Sequence, residues 1–243
     1  MISQQATALF RRFQVLLPTI RSHSSSPSTS SMVHDWPAAK VRRTFVDHFK
    51  ERGYTEVPAI PVHATGQADL LFVNAGMVQF KDVFLGRAPE PLAGLKSAVN
   101  SQKCVRASGK HNDLDQVGRD GTHHTFFEML GHWSFNGHVS RRDACLHAWE
   151  LLTNVYRIPP EHLFVSYFGG DRNLNLAPDT DCRDMWNQIG VPDEKIKKMG
   201  ASDNFWQMAE VGPCGPCTEI HYRDPKNKKE TFELWNLVFI DYN

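Results

Sequence analysis

One predicted hairpin combines cationic and aromatic side chains in a spacing that suits a nucleotide. The stretch RDGTHHTFFEMLGHWSF over residues 119–135, which contains its second strand, carries His124 and Glu128 among phenylalanines, and its first strand ends at Arg106. Arginine grips a phosphate with two N–H groups, histidine donates to another oxygen, and an aromatic ring stacks on a base. The hairpin therefore predicts a nucleoside triphosphate site with Arg106 and His124 side by side. The alternative is a solvated hairpin tip, since charged tips are common.

A second candidate is an amide in the last predicted strand. Asn236 falls on the face that alternation assigns to Phe232, Leu234, Val238 and Ile240. An amide among apolar side chains must find partners, or its burial costs about 1–3 kcal/mol. Spacing alone favours a bond to nearby backbone, and the alternative is a small pocket in which the amide binds a polar ligand group.

Cys214 and Cys217 in GPCGPC have the spacing of a zinc half-site. No second ligand pair follows at the required distance, so the repeated Gly-Pro predicts a rigid structural turn, with a redox dithiol as the alternative. Trp206, in SDNFWQM, is either ordinary core or the wall of a small pocket.

Local patterns predict the elements that would hold these residues. A helix is predicted over residues 37–52, since Val41, Phe45 and Phe49 repeat at helical spacing and Gly53 stops the run. Another helix follows the capping pair Ser140 and Asp143. A third covers 184–189, and strands are predicted over 98–107, 122–135, 162–168, 218–222 and the final stretch TFELWNLVFIDYN. Strands that mostly follow one another through loops indicate an α+β fold with a mixed, largely antiparallel sheet.

Composition limits the function classes. The 243 residues contain 27 basic and 27 acidic side chains, but residues 1–34 hold three of the arginines and no acid. The remainder has 24 basic against 27 acidic residues, so any phosphate contacts must be local. Five scattered cysteines indicate a reducing compartment. No apolar run has membrane-spanning length, and no membrane association is expected.

The N-terminal stretch has the composition of a mitochondrial transit peptide. It is rich in serine, lacks acids, and can place Leu9, Phe10, Phe13 and Leu17 on one helical face. We predict that residues 1–31 form a disordered leader directing the protein to the mitochondrial matrix, and that 32–243 form the folded domain. The alternative is a disordered tail without an address. Met32 can start a shorter, cytoplasmic form.

Four stretches together resemble, in order and spacing, the catalytic domain of alanyl-tRNA synthetases. The stretches are LLFVNAGMVQFKDVFLG, SQKCVRASGKHNDLDQVGRDGTHHTFFEMLGHWSF, DNFWQMAEVGPCGPCTEIHY and ELWNLVFIDYN. The resemblance covers residues 37–243. With its arginine-bearing leader, the chain is similar to the mitochondrial form of these enzymes. It implies a class II fold, an antiparallel sheet flanked by helices, in which the 37–52 helix begins motif 1 and the 98–135 hairpin is motif 2.

The resemblance also implies roles for individual residues. Arg106 matches the motif 2 arginine on the ATP phosphates, His124 a histidine that contacts ATP, and Trp206 the tryptophan of the adenylate pocket. The segment Leu234, Trp235 and Asn236 matches residues that touch ATP, with Asn236 also holding the amino group of alanine.

The activity implied is that of an alanine–tRNA ligase, which uses ATP and Mg²⁺ to form alanyl-adenylate and passes alanine to tRNA-Ala. The resemblance ends before motif 3, so its glycine-rich strand and the aspartate that pairs with Asn236 on the substrate ammonium are not matched. The main tRNA-binding domains and the editing domain with its zinc are likewise not encoded in these residues. We therefore expect an N-terminal catalytic fragment with little activity by itself; the alternative is an inactive ATP-binding or regulatory fragment.

Overall fold

The structure is a computed structural model. It describes the backbone of residues 4–9 and, with side chains, residues 36–63, 71–107, 114–119, 123–208, 212–227 and 230–242. Its helices are α1 (Ala38–Lys50), α2 (Lys81–Phe84), α3 (Arg141–Glu150), α4 (Thr180–Ile189) and α5 (Ala201–Asn204). Its strands are β1 (Gln4–Leu9), β2 (Thr55–Glu56), β3 (Ser97–Val105), β4 (Phe126–Ser134), β5 (Leu163–Phe168), β6 (Ile196–Met199), β7 (Phe205–Gln207), β8 (Cys214–Arg223) and β9 (Thr231–Ile240). Within these ranges no helix has both the length and the apolarity to cross a bilayer.

The strands form one sheet of mixed direction. Its order is β2-β3-β4-β1-β9-β8-β5-β6, with β7 added to β8 outside this path. Strands β2 and β3, and β5 and β6, pair in parallel, whereas the other neighbours are antiparallel. The predicted α+β architecture, a largely antiparallel sheet flanked by helices, is confirmed.

Strand β1 lies at the centre of this sheet. Its backbone pairs with β4 on one side and with β9 on the other, both antiparallel. The predicted disorder is therefore wrong for residues 4–9, because the facing edges of β4 and β9 offer hydrogen bonds that an extended segment can take up. Residues 10–31, with the other members of the predicted helical face, lie outside the described part of the chain.

Helices α1, α3 and α4 cover one side of the sheet, which we call the helix face. The core there joins Phe45 and Phe49 of α1 to Trp186 of α4 and Trp235 of β9, all at 0% exposure. Helix α1 begins after Pro37 and α3 begins at the predicted Ser140 cap, whose Oγ accepts the backbone N–H of Asp143 at 3.0 Å. These two helices confirm the sequence prediction.

The opposite side of the sheet, which we call the far face, is covered by residues 76–84 and by β7. Met77, Phe80 and Phe84 pack there on Trp133 of β4, together with Cys217, Val238 and Ile240. Gly76 allows the close approach, because a Cβ at this position would lie 3.1 Å from the Trp133 ring. Residues 76–84 thus cover a second core on the far face.

Two predicted boundaries were wrong. Helix α4 begins four residues before Asp184, because the Asp179 side chain accepts the N–H of Cys182 and caps an earlier turn. The GPCGPC segment is not a turn from Cys214 onward, since β8 starts at that residue. Gly215 makes this strand possible, because a Cβ there would lie 1.9 Å from the Phe239 carbonyl oxygen.

Candidate functional site

A β-bulge in β9 decides which side chains reach the far face. Trp235 pairs with Ile220, but the next pair is Glu233 with His221, so Leu234 is passed over in the register. An extra residue in one strand shifts the alternation beyond it. Leu234 and Trp235 consequently both lie at 0% exposure in the helix-face core, whereas Asn236 shares the far face with Val238 and Ile240. The alternation that grouped Leu234 with Asn236 was wrong for this reason.

The Asn236 amide is held by a carboxylate rather than by backbone. Its Nδ2 donates to Oε1 of Glu219 on the adjacent strand at 3.2 Å. Its Oδ1 is buried and accepts no hydrogen bond from the residues that the structure describes. A buried acceptor without a donor costs about 1–3 kcal/mol. The bond to nearby backbone that spacing favoured is not formed with the described residues, and the ligand pocket stays a prediction.

Glu219 is the acid bonded to Asn236, and it was not predicted from the sequence. It is 7% exposed on β8, and its backbone N–H donates to Ser166 Oγ at 3.2 Å. His221 Nε2 lies 3.1 Å from its other carboxylate oxygen, Oε2. Burial, with the nearby charge of Asp203, raises the pKa of Glu219 to about 7. The signal available in the sequence was an acid inside the otherwise strand-like stretch TEIHY.

Helix α5 is anchored beside this acid. The fully buried Asn204 donates from Nδ2 to Ser166 Oγ at 2.9 Å and to the Cys217 carbonyl oxygen at 3.0 Å. The Cys217 thiol donates to the Asp203 carbonyl oxygen at 3.8 Å. These bonds fix the end of α5 against β5 and β8, so Asp203 is kept near Glu219.

The surroundings of Asn236 are rich in acceptors. Asn236 Oδ1 and the Glu219 carboxylate are neighbours, and the negative charge of Asp203 lies nearby. A primary ammonium group has three donors, no acceptor and a positive charge, so it complements this set. A phosphate, which brings only acceptors and negative charge, does not.

Trp206 lies on the far face, at the edge of the second core. It belongs to β7, where its backbone pairs with Gly215 of β8. Its partly buried ring packs on the far-face cluster that contains Cys217 and Val238. The sequence offered two roles for Trp206, core residue or pocket wall; the structure shows the core contact, and the pocket wall stays a prediction.

Arg106 lies on the same face as Asn236 but far along the sheet. It is 9% exposed, its Nε donates to the Asn74 carbonyl oxygen at 3.0 Å, and its guanidinium carbon is 5.5 Å from the centre of the Phe127 ring. Asn236 belongs to a row that runs through β1 and β4 to Asn100 of β3. Arg106 is six residues beyond Asn100, or about 20 Å along the strand. The candidate site is therefore elongated.

The predicted contact between Arg106 and His124 is not present in this geometry. The N–H of Arg106 bonds to the carbonyl oxygen of Thr125, which puts His124 one residue out of register. Arg106 is buried, whereas His124 is exposed. The hairpin strand ends at Phe126, so its pairing does not fix the His124 side chain. Lys110 and His111 lie outside the described residues.

Glu128 serves the fold on the helix face. Arg42 of α1 forms a bidentate salt bridge with it, in which Nε donates to Oε2 at 2.7 Å and a terminal nitrogen donates to Oε1 at 2.8 Å. Ser101 Oγ donates a third hydrogen bond to Oε2 at 3.2 Å. The Arg42 hydrogen bonds lower the pKa of Glu128. The sequence placed Glu128 on the second strand of the predicted nucleotide hairpin. In the structure its side chain instead connects α1 to β4.

Neither Cys214 nor Cys217 is part of a disulfide. Burial raises the pKa of Cys217, which is the opposite of what a reactive thiolate needs. Across the described residues, no three His, Cys, Asp or Glu side chains gather in a way that could hold a metal ion. The bonds of Cys217 to α5 and the close passage of Gly215 give this motif a structural role.

Comparison with known sequences agrees with the fold. The family described as tRNA synthetases class II (A) matches residues 40–243, and the chain belongs to this family. Class II synthetases use ATP and Mg²⁺. The chain is 50% identical over 234 residues to the mitochondrial alanine–tRNA ligase of Homo sapiens, covering 93% of the chain and 23% of that protein.

Other relatives come from both compartments. The chain is 49% identical over 221 residues to the mitochondrial alanine–tRNA ligase of Saccharomyces cerevisiae, which covers 86% of the chain and 22% of the relative. It is 51% identical over 219 residues to the cytoplasmic alanine–tRNA ligase of Caenorhabditis elegans, which covers 85% and 22%. The chain thus spans less than a quarter of the length of these curated relatives.

Proposed function

We propose that this chain is part of an alanine–tRNA ligase, in which it binds alanine and ATP for the formation of alanyl-adenylate. The observation that carries the proposal is the buried Asn236 Oδ1, which has no donor among the described residues and lies beside the Glu219 carboxylate. The family membership and the identity to alanine–tRNA ligases support the same substrate class.

The amino-acid end of the site would lie at Asn236. The alanine ammonium donates one hydrogen bond to Asn236 Oδ1, and its charge is balanced by Glu219 and the more exposed Asp203. The Trp206 ring limits the room for the side chain from one side. A small methyl group gains little binding energy from such a wall, since one methylene is worth about 1–3 kcal/mol.

The nucleotide end would extend from this pocket toward Arg106. Besides Nε, which donates to the Asn74 carbonyl oxygen, the guanidinium carries terminal N–H groups of the kind that grip a phosphate. The contacts assigned to Leu234 and Trp235 must come from backbone atoms, because both side chains are buried in the helix-face core. We also propose His124, exposed beside the end of β4, as an ATP contact.

Magnesium would bind at this site mainly through the phosphate oxygens of ATP. Mg²⁺ keeps several waters and needs one or two carboxylates besides phosphate oxygens, so the lack of a three-ligand group among the described residues does not conflict with it. When bound, the ion neutralises charge on the phosphates.

The chemistry asked of the protein is mainly alignment. The alanine carboxylate attacks the α-phosphorus of ATP, a P–O bond forms, and pyrophosphate leaves with the electron pair of the broken bond. Holding the ammonium at Asn236 and the outer phosphates at Arg106 would align the carboxylate with the α-phosphorus, and the arginine would offset negative charge on the departing pyrophosphate. The adenylate would then pass alanine to the terminal ribose of tRNA-Ala.

The division of the chain and its compartment belong to the same proposal. Residues 1–31 would be a mitochondrial leader and 32–243 part of the class II catalytic domain, with a cytoplasmic form starting at Met32. Relatives from both compartments support each form. During import, β1 would have to leave its pairing with β4 and β9.

Calorimetric titration with non-hydrolysable aminoacyl sulfamates of adenosine tests the proposal. We expect the alanyl compound to bind the chain at least tenfold more tightly than the leucyl compound, because the Trp206 wall leaves room for a small side chain. Equal affinity for the two would contradict an alanine site. Alanine-dependent exchange of pyrophosphate into ATP then separates a ligase from an ATP-binding fragment, which would bind the analogue without exchange.

A further inference from the structure

We infer that Glu219 is a positioning residue for the amino-acid substrate: its ionised carboxylate turns the Asn236 amide so that Oδ1 faces the ligand, and it supplies the charge that balances the substrate ammonium. The inference rests on the proposed function and adds a residue to it.

An asparagine side chain can present either of two ends. The NH₂ end donates and the oxygen end accepts, and rotation by half a turn exchanges them. An ionised carboxylate can only accept, so it selects the orientation in which Nδ2 points toward it. The 3.2 Å bond from Asn236 Nδ2 to Glu219 Oε1 is this arrangement, and it leaves the buried Oδ1 for a donor from outside. An ammonium group needs such an acceptor.

A protonated Glu219 would lose this selection. A carboxylic acid can donate to Asn236 Oδ1, which stabilises the reversed amide and turns its NH₂ group toward the ligand. Two donors, an amide NH₂ and an ammonium, would then face one another. The same protonation removes the negative charge. Glu219 therefore favours ligand binding through its charge and through the amide, and both contributions need the ionised form.

Several titratable groups lie around the Glu219 carboxylate. His221 lies 3.1 Å from Oε2 on the same strand, and the charge of Asp203 on α5 acts from the other side. The Cys217 thiol is on the same face of β8, and Glu233 is opposite His221 on β9. Burial, with the charge of Asp203, raises the pKa of Glu219 to about 7.

The direction of the pH dependence follows from this value. An ammonium ligand stabilises the ionised form, so the complex has a lower pKa than the free protein. Affinity then rises as pH increases toward 7 and levels off above it. Between pH 5.5 and pH 7.5, a group with a free pKa of about 7 gives an increase of roughly 10- to 25-fold.

The experiment titrates the alanyl sulfamate of adenosine into the full chain from pH 5.5 to pH 7.5, alongside the propionyl sulfamate, which lacks the amino group. We expect the full increase with pH for the alanyl compound and a nearly flat profile for the propionyl compound. This comparison needs no variant, so it does not depend on the folding of a substituted protein. Equal slopes for the two ligands would overturn the inference.

Substitutions then assign the titrating group. Glu219→Gln keeps the size of the side chain and removes its charge, so we expect weaker alanyl binding and a flat profile. Glu230→Gln, an exposed residue outside the site, serves as the matched control and should keep the slope of the unsubstituted chain. A slope that survives in Glu219→Gln but disappears in His221→Gln would assign the effect to the histidine and overturn the inference. If the unsubstituted chain binds neither ligand, the proposed function itself fails, and the inference with it.

Discussion

Leu234 and Asn236 are two residues apart in β9, yet their side chains lie on opposite faces of the sheet. The register passes over Leu234 between the pairs Trp235–Ile220 and Glu233–His221. Leu234 is buried among the helices, and Asn236 meets Glu219 on the far face. One inserted residue therefore separates a side chain that stabilises the fold from one that serves the site.

This separation predicts that substitutions at the two positions have different consequences. Leu234→Ala should lower the free energy of unfolding by about 2–5 kcal/mol, because it removes a fully buried side chain. Asn236→Ala should change it by no more than about 1 kcal/mol, since the deleted amide includes an acceptor without a donor. Urea denaturation of both variants measures the difference. Comparable losses would mean that the two side chains do not occupy separate environments.

Arg106 should govern nucleotide affinity. Arg106→Ala is expected to weaken ATP binding by roughly 10- to 100-fold, because a phosphate loses a charge-assisted bidentate partner. Arg106→Lys is the matched control and should recover only part of the affinity, since lysine keeps the charge but not the paired N–H groups. Titration of ATP, followed by the fluorescence of the tryptophans, gives the affinities. Identical curves for the three proteins would remove Arg106 from the phosphate site.

Glu128 should act on stability alone. Glu128→Gln breaks the two-armed bond to Arg42 and should lower the stability by roughly 1 kcal/mol, a modest effect because both side chains are more than a third exposed. Binding of the alanyl sulfamate should be unchanged, since the pair lies on the helix face. Thermal unfolding and calorimetric titration of the same preparation check both parts. A loss of ligand affinity with unchanged stability would restore Glu128 to the nucleotide site.

Three histidines in the helix-face core should make the fold sensitive to acid. His132 stacks on Phe49 with ring centres 4.1 Å apart, and His48 Nε2 lies 3.1 Å from the His147 carbonyl oxygen. Burial, followed by the charge of Arg52, lowers the pKa of His48 to about 4. Burial also lowers the pKa of His132 and of His147. The charges of Asp143 and Glu150 oppose the effect on His147 but are smaller.

A histidine kept neutral in the folded state adds stability fully above its unfolded pKa of about 6.5. That stability is lost as the pH falls from about 6.5 toward 4, where the unfolded chain binds more protons than the folded chain. We expect the melting temperature to fall over this window. His132→Asn should reduce the dependence, whereas His138→Asn, at an exposed position, should leave it unchanged. A melting temperature that is constant from pH 6.5 to pH 5 would contradict neutral burial of the cluster.

The sequence predicted most of the framework because the responsible signals are local. The apolar spacing of Val41, Phe45 and Phe49 marks α1, and the Ser140 cap marks α3. Asn236 was found as an amide among apolar residues, and the resemblance gave it a ligand. These inferences needed only neighbours in the chain or a motif read in order.

Features that depend on distant pairing were missed. The bulge at Leu234 appears only when β9 is paired with β8, and it then reverses the face of every residue before it. Glu219 becomes a site residue only because Asn236 lies opposite it across the ladder. Arg42 and Glu128 are separated by 86 residues, so no local pattern predicts their bond.

In the proposed function, Asn236 receives the ammonium group of alanine. This role is tested by comparing the affinity for the alanyl and propionyl sulfamates of adenosine, at pH 7.5, in the unsubstituted chain and in Asn236→Ala. We expect the unsubstituted chain to prefer the compound with the amino group by roughly 10- to 100-fold, and most of this preference to disappear in the variant. An equal preference in both proteins would show that the amino group binds elsewhere.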